Sequence, residues 1–174
     1  MLGYGAGDTE AFDALYQRHK TPLYRFVIRQ CGQENADELF QDIWLKVINT
    51  RNTYQVKAKF KTWLYHLARN RIIDFYRRNS IRPVNSDDEI NNIEDKNTTA
   101  PEKNLQQRDQ RQAMLDAIDE LPRDQKESFL LREEAGLNIE QIADTCGINP
   151  ETAKSRLRYA VNKLRQILAN TGDP

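Results

Sequence analysis

NIEQIADTCGINPETAKSRLRYAVNKLRQIL, residues 138–168, decides how this chain is to be read, because it spells a short helix, a glycine turn and a longer basic helix. That is the layout of a helix-turn-helix, whose second helix lies in a DNA groove. Asn138 can cap the first helix, and Ile139, Ile142 and Ala143 form its apolar side, with Ala143 small enough to let the second helix cross closely. Gly147 supplies the turn. Asn149 before Pro150 reads as a cap followed by a proline at the first helical position, where the missing N–H costs nothing. In the second helix Ala153, Leu157, Ala160, Val161, Leu164 and Leu168 recur at three- and four-residue steps, which turns Glu151, Lys154, Ser155, Arg158 and Asn162 outward. A polar, mostly cationic outward face suits base and phosphate contacts. An ordinary amphipathic helix pair with a solvated charged face carries the same pattern, so the rest of the chain must decide.

The 174 residues balance 26 Lys/Arg against 26 Asp/Glu, yet that zero hides a separation of sign. Residues 1–84 hold 14 basic and 8 acidic side chains, residues 85–109 hold 3 and 7, and residues 110–174 hold 9 and 11. Net charge therefore says nothing against a nucleic-acid partner. Within the first block, Lys57, Lys59, Lys61, Arg69, Arg71, Arg77, Arg78 and Arg82 face one acid, Asp74, a local footprint for phosphate.

Cys31 and Cys146 lie far apart with no CxxC spacing, and His19 and His66 have no partners at metal-ligand spacing, so all four read as structural or surface residues. No metal and no cofactor is expected. There is no signal peptide and no apolar run near the length of a membrane span, which predicts a cytoplasmic, reduced protein without membrane insertion. Phosphate loops, nucleophile elbows and paired-carboxylate sites are also missing from the sequence, and an enzyme reading has little to rest on.

Almost every periodic segment has the helical step, which predicts an all-α protein of two small helical domains joined by a flexible acidic linker, the C-terminal one carrying the helix-turn-helix. A first helix is expected from about Asp8 to Cys31, with Pro22 suggesting a break or bend. A second runs from about Asn35 to Asn49, where Ala36, Leu39, Phe40, Ile43, Trp44, Val47 and Ile48 keep the helical step without a miss. The third, from about Ala58 to Asn79, carries Phe60, Trp63, Leu64, Leu67, Ala68 and Phe75 as its stripe. These three would close a small bundle. SIRPVNSDDEINNIEDKNTTA, residues 80–100, is rich in Asn, Asp, Ser and Thr and reads as an acidic tether. Helix resumes near Pro101 to about Glu120 with Leu105, Met114, Leu115 and Ile118, stops at Leu121-Pro122, and a further helix from about Arg123 to Ala135 leads through Gly136 into the helix-turn-helix. The expected division is residues 1–84, a linker at 85–100, and residues 101–174.

Taken in order, ADELFQDIWLKV (36–47), FKTWLYHLARNRIIDFYRR (60–78) and the segment from Leu121 to Arg165 resemble the core-polymerase-binding helix, the promoter-melting and −10-reading helix, and the −35-reading domain of the extracytoplasmic-function group of sigma-70 family transcription initiation factors. The resemblance covers nearly the whole chain. It implies that Glu38, Gln41 and Asp42, one polar strip beside the apolar stripe, meet the coiled-coil clamp of the largest subunit of core RNA polymerase. Tyr65, Arg69 and Tyr76 share one line on the third helix, flanked by Lys61 and Arg77, and aromatic faces interleaved with cations suit the unpaired −10 strand, stacking contributing roughly 1–3 kcal/mol per base. By the same resemblance, the loop from Thr50 to Lys57 is the pocket for a flipped base. Trp63 could act as a melting wedge, but its place on the apolar stripe favours the core, and at Arg71 a pair with Asp74 three residues on competes with DNA contact.

In the second domain the resemblance places −35 contacts on Lys154, Ser155, Arg158 and Tyr159, with Arg132, Thr152 and Arg156 nearer the phosphates. The implied function is a promoter-specificity subunit that binds core polymerase, reads duplex −35 DNA, captures the opened −10 strand and catalyses nothing itself. An anti-sigma factor is a partner expected from the family alone. The competing class is a free-standing helix-turn-helix repressor or activator, which the acidic tether, the basic-aromatic third helix and the absence of an evident dimer helix all disfavour. Because the basic surfaces are split between two tethered domains, their relative placement is expected to be unset until a partner fixes it.

Overall fold

The computed structural model describes the backbone of residues 1–79 and 101–171 and the side chains of residues 1–79 and 108–170. The expected tether, residues 85–100, lies outside the described residues, as does the side chain of Leu105. Every described element is a helix: α1 (Leu2–Gly5), α2 (Thr9–Cys31), α3 (Gln33–Asn49), α4 (Phe60–Asn79), α5 (Pro101–Asp119), α6 (Arg123–Glu133), α7 (Ile139–Cys146) and α8 (Pro150–Thr171). The all-α expectation holds, and the short α1 is an addition to it.

Helix α2 begins where Asp8 Oδ1 accepts from the Ala11 amide at 3.1 Å, one N-terminal donor satisfied by its cap. It then runs unbroken through Pro22. Proline removes a single intrahelical bond, to Arg18, and Arg18 stands on the solvent side, while Leu23, Phe26 and Val27 immediately beyond are fully buried and hold the second half of the helix in place. Gly32, at φ 76, reverses the chain into α3 in a conformation that a side chain would resist. Helix α3 buries Ala36, Leu39, Ile43, Trp44 and Val47, the stripe expected of it.

Helix α4 departs from its expected stripe. Its buried positions are Thr62, Leu64, Tyr65, Ala68 and Ile72, while Phe60, Trp63, Leu67 and Phe75 are only partly covered. The reason is tertiary: α4 packs on α2 and α3 with one side and on α7 with another, so its apolar surface is wider than one bundle requires.

In the second half, α6, α7 and α8 pack together with α5 laid against α8. Asn138 and Gln141 form a reciprocal capping box at the start of α7, Gly147 ends it at φ 67, and Asn149 Oδ1 accepts from the Thr152 amide at 2.7 Å to start α8 behind Pro150. Ala143, Ala153 and Ala160 are buried between the helices, and their small side chains permit the close crossing of α7 and α8. The two halves do not stand apart. Helices α4 and α7 are in contact, and so are α2 and α6.

Candidate nucleic-acid interface

The recognition face of α8 is open. Lys154, Arg158 and Tyr159 are exposed, Tyr159 by 53 %, with the Arg158 guanidinium 5.1 Å from the Tyr159 ring centre. Ser155 and Thr152 are half-buried beside them, and the Thr152 amide is engaged by the Asn149 cap. Arg132, exposed, steadies the turn into α7 by donating to the Leu137 carbonyl at 3.2 Å, and with Arg158 and Arg165 it lines a groove of about 370 Å³ between α6 and α8. Arg156 turns the other way. It pairs with Asp124 of α6 and braces the helix-turn-helix from behind, where the sequence had placed it near phosphate.

On α3 the expected strip is divided. Glu38 and Gln41 are exposed, and Leu45, one turn further, joins them with 54 % of its surface open, whereas Asp42 is half-buried and accepts from Arg71 Nε of α4 at 3.0 Å. Arg71 therefore pairs across helices with Asp42, and Asp74 pairs instead with Arg77 at 3.1 Å. Sequence spacing finds neighbours within a helix and is blind to those across helices, which is why Asp74 had looked like the partner of Arg71.

The line of Tyr65, Arg69 and Tyr76 on α4 exists, but it is covered by α2 and by the second half of the molecule. Tyr65 is wholly buried, edge-on to Phe26 at 5.2 Å, and burial pushes its phenol pKa up. A residue so placed offers no face to a base in this arrangement. Arg69 Nε lies 3.0 Å from Glu127 Oε1 of α6, an ionic contact without hydrogen-bond alignment. Lys61 Nζ donates to the Gly136 carbonyl at 2.9 Å. The Tyr76 hydroxyl donates to the Gln30 carbonyl, its ring lies under Arg123 at 4.7 Å, and burial raises its pKa to about 12. Arg77 stays exposed near Asp74.

Beside this line, the loop after α3 and the start of α4 enclose a cavity of about 380 Å³ whose walls include Tyr54, Gln55, Lys57, Thr62, Trp63 and His66. Trp63 is a wall, half-buried and edge-on to Tyr54 at 5.0 Å, rather than the core residue its stripe suggested. Asp144 and Thr145 of α7 complete the lining. The cavity lies beside residues 50–57, the segment in which the resemblance implies a base pocket, and Tyr54 and Trp63 give it aromatic walls. Arg25, Glu127, Glu134 and Thr62 escaped the sequence reading, because nothing in their local pattern distinguishes them from solvated positions. Leu45 was legible, as an apolar residue on the polar strip of α3.

Among the described residues no cluster of His, Cys, Asp or Glu could hold a metal, and no helix is long and apolar enough to cross a membrane. Both cysteines are buried and unpaired, and burial lifts each thiol to about 12.

Two family signatures match this architecture: sigma-70 region 2 over residues 15–81 and sigma-70 region 4 over residues 111–164. The RNA polymerase sigma factor CarQ of Myxococcus xanthus is 30 % identical over 172 residues, which covers 97 % of this chain and 95 % of CarQ. The sigma-E factor of Haemophilus influenzae is 25 % identical over 175 residues, covering 97 % and 90 % of the two chains. In fold, the chain is similar to the sigma factor RpoE of Bartonella quintana, solved with the anti-sigma factor NepR, with a TM-score of 0.77 at 22 % identity over 92 % of this chain and 98 % of that one. It is also similar to CnrH, solved with the cytosolic domain of CnrY, with a TM-score of 0.68 at 19 % identity over 95 % and 92 % of the chains. The protein is thus an RNA polymerase initiation factor with a promoter-binding helix-turn-helix. It belongs to the sigma-70 family, in the extracytoplasmic-function group. Regions 2 and 4 bind core polymerase and promoter DNA, and the repressor alternative falls away.

Proposed function

We propose that residues 1–84 form the unit that engages core polymerase and the −10 strand, that residues 85–100 tether it, and that residues 101–174 form the unit that reads the −35 duplex. The observation that carries the second assignment is the open face of Lys154, Arg158 and Tyr159 on a helix whose opposite side is locked into its unit by Ala153, Ala160 and Leu164. Lysine and arginine donate to guanine O6 and N7, and Ser155 can serve several bases. Arg132 and Thr152 flank them toward the backbone phosphates.

For polymerase, Glu38, Gln41 and the exposed Leu45 form a small apolar spot with an acidic rim, suited to a basic clamp. Asp42 contributes by orienting Arg71. For the −10 strand, the cavity between Tyr54 and Trp63 takes an unstacked base while Lys61, Arg69, Tyr76 and Arg77 hold the strand beside it. The factor supplies specificity and leaves catalysis to the polymerase, so it works in the cytoplasm where the polymerase is. The similar structure of RpoE is a complex with the anti-sigma factor NepR, which supports an anti-sigma factor as the regulator of this chain.

Run-off transcription with purified core polymerase on a random promoter library tests the proposal. Transcripts that start at one recoverable motif pair only when this protein is added are the expected result. Unchanged start sites with and without it would refute the proposal.

A further inference from the structure

Helix α8 carries five basic side chains, Lys154, Arg156, Arg158, Lys163 and Arg165, and one acid, Glu151. That acid is the second residue of the helix, behind Pro150 and the Asn149 cap, at the end of a recognition helix whose side chains reach base edges. Steps of three, four and seven residues put it in line with Lys154, Ser155 and Arg158, and away from Ala153, Ala160 and Leu164, which are buried against the rest of the unit. Glu151 is exposed, and among the described residues its carboxylate has no hydrogen bond or ion pair. The helix start does not engage it either. Asn149 Oδ1 accepts from the Thr152 amide at 2.7 Å, and Thr152 holds the position from which a glutamate could reach back to the cap.

A lone carboxylate on a surface that meets DNA is a selective element. Duplex phosphates repel it, so it lowers affinity unless a base donates to it. Base edges in the major groove offer two kinds of donor, the N4 amine of cytosine and the N6 amine of adenine, whereas guanine presents the acceptors N7 and O6, and thymine O4 and a methyl group. A carboxylate only accepts, so the N7 acceptor beside the adenine amine opposes it, and cytosine N4 is its complement. The helical rise of about 1.5 Å per residue sets Glu151 about 10 Å from Arg158 along α8, about three base-pair steps, so the two meet different positions. We infer that Glu151 is a specificity-determining residue of the −35-reading helix, its carboxylate accepting from the N4 amine of one cytosine and excluding guanine and thymine there. The inference rests on the assignment of α8 to the −35 duplex and deepens it by adding one pure acceptor to a face of cations and hydroxyls.

Glu140 supplies a matched control. It occupies the same second position of α7 behind the Asn138 cap, is also exposed, and carries the same charge beside a helix N-terminus. Holoenzyme assembled from core polymerase and the full chain selects from promoters randomised at −35, and thermal melting of the free chain reports the fold. The unaltered chain should prefer cytosine at one position about tenfold, the scale of one mismatched base pair. Glu151→Gln should move that preference to adenine, since an amide donates to N7 and accepts from N6, and Glu151→Ala should flatten it, with the other positions unchanged. Glu140→Gln should lose the same small stabilisation of a helix start and leave every base preference as it was. An unaltered base profile in both Glu151 variants overturns the inference and reduces Glu151 to an acid that stabilises the start of α8. The same change of profile in Glu140→Gln as in Glu151→Gln overturns it too, as a general effect of charge. If Lys154→Ala and Arg158→Ala also leave the −35 profile unaltered, the assignment of α8 fails as well; if they alter it while the Glu151 variants do not, only the role of Glu151 falls.

Discussion

Arg71 of α4 donates its Nε hydrogen to Asp42 Oδ2 of α3 at 3.0 Å, so the helix we propose for polymerase and the helix we propose for DNA are joined by one half-buried ion pair. Asp42→Asn should cost about 0.5–1 kcal/mol of stability, since the pair is partly exposed and water screens what is lost. Glu38→Lys, on an exposed position, should leave melting unchanged and weaken competition for core polymerase. Equal affinity of the Glu38→Lys variant would reduce the strip to a solvated face.

Leu45 makes a second, independent claim on that surface. Its 54 % exposure on an otherwise polar strip predicts that Leu45→Glu leaves the fold intact and lowers core affinity by about tenfold or more, the scale of a truncated interface anchor. Native gel competition between the variant and the unaltered chain reads this directly.

Tyr65 separates packing from recognition. Tyr65→Ala should cost about 3–5 kcal/mol, as for a large ring removed from a core. Tyr65→Phe should be neutral or stabilising, because the hydroxyl it removes is buried without a protein partner. Thermal melting of the two variants checks this; a Tyr65→Phe loss as large as that of Tyr65→Ala would mean that the hydroxyl is engaged.

Lys154→Ala or Arg158→Ala should cost about 1–3 kcal/mol in promoter binding by the polymerase holoenzyme and relax preference at one or two −35 positions. Arg156→Ala should act differently, through the lost brace to Asp124, lowering stability while leaving base preference unchanged. Selection from randomised −35 sequences distinguishes the two outcomes.

His19 sets a pH response. Burial first, then the neighbouring Arg18 and Lys61, hold its imidazole below the usual 6.5. A folded pKa below the unfolded one means that the neutral ring favours folding, fully so above pH 6.5, and that the contribution is lost as pH falls through the lower folded value. Melting temperature should therefore fall between pH 7 and pH 5 less steeply in His19→Gln than in the unaltered chain, and parallel curves would assign the acid response to other groups.

Elements defined by local chemistry were legible in the sequence. The helix-turn-helix followed from Asn138, Gly147, Asn149 and Pro150, and the α3 stripe from its unbroken spacing, because caps, turns and amphipathic periods are set within a few residues of one another. Pro22 misled, since its local cost was outweighed by the burial of Leu23, Phe26 and Val27. The open face of α8 could be read because one side of that helix is simply solvent.

What the sequence by itself determined is the seven longer helices, the caps of α7 and α8, the cationic character of α4 and α8, and hence the family. Only the tertiary structure decided which way those cations point. Arg69, Lys61 and Tyr76 share a line on α4 in either view, but whether that line meets solvent or Glu127, Gly136 and Arg123 depends on how two helix groups dock across a sequence separation of more than 40 residues. Charge complementarity at such a range leaves no periodic trace in the chain. It arises only when folding brings the two surfaces together.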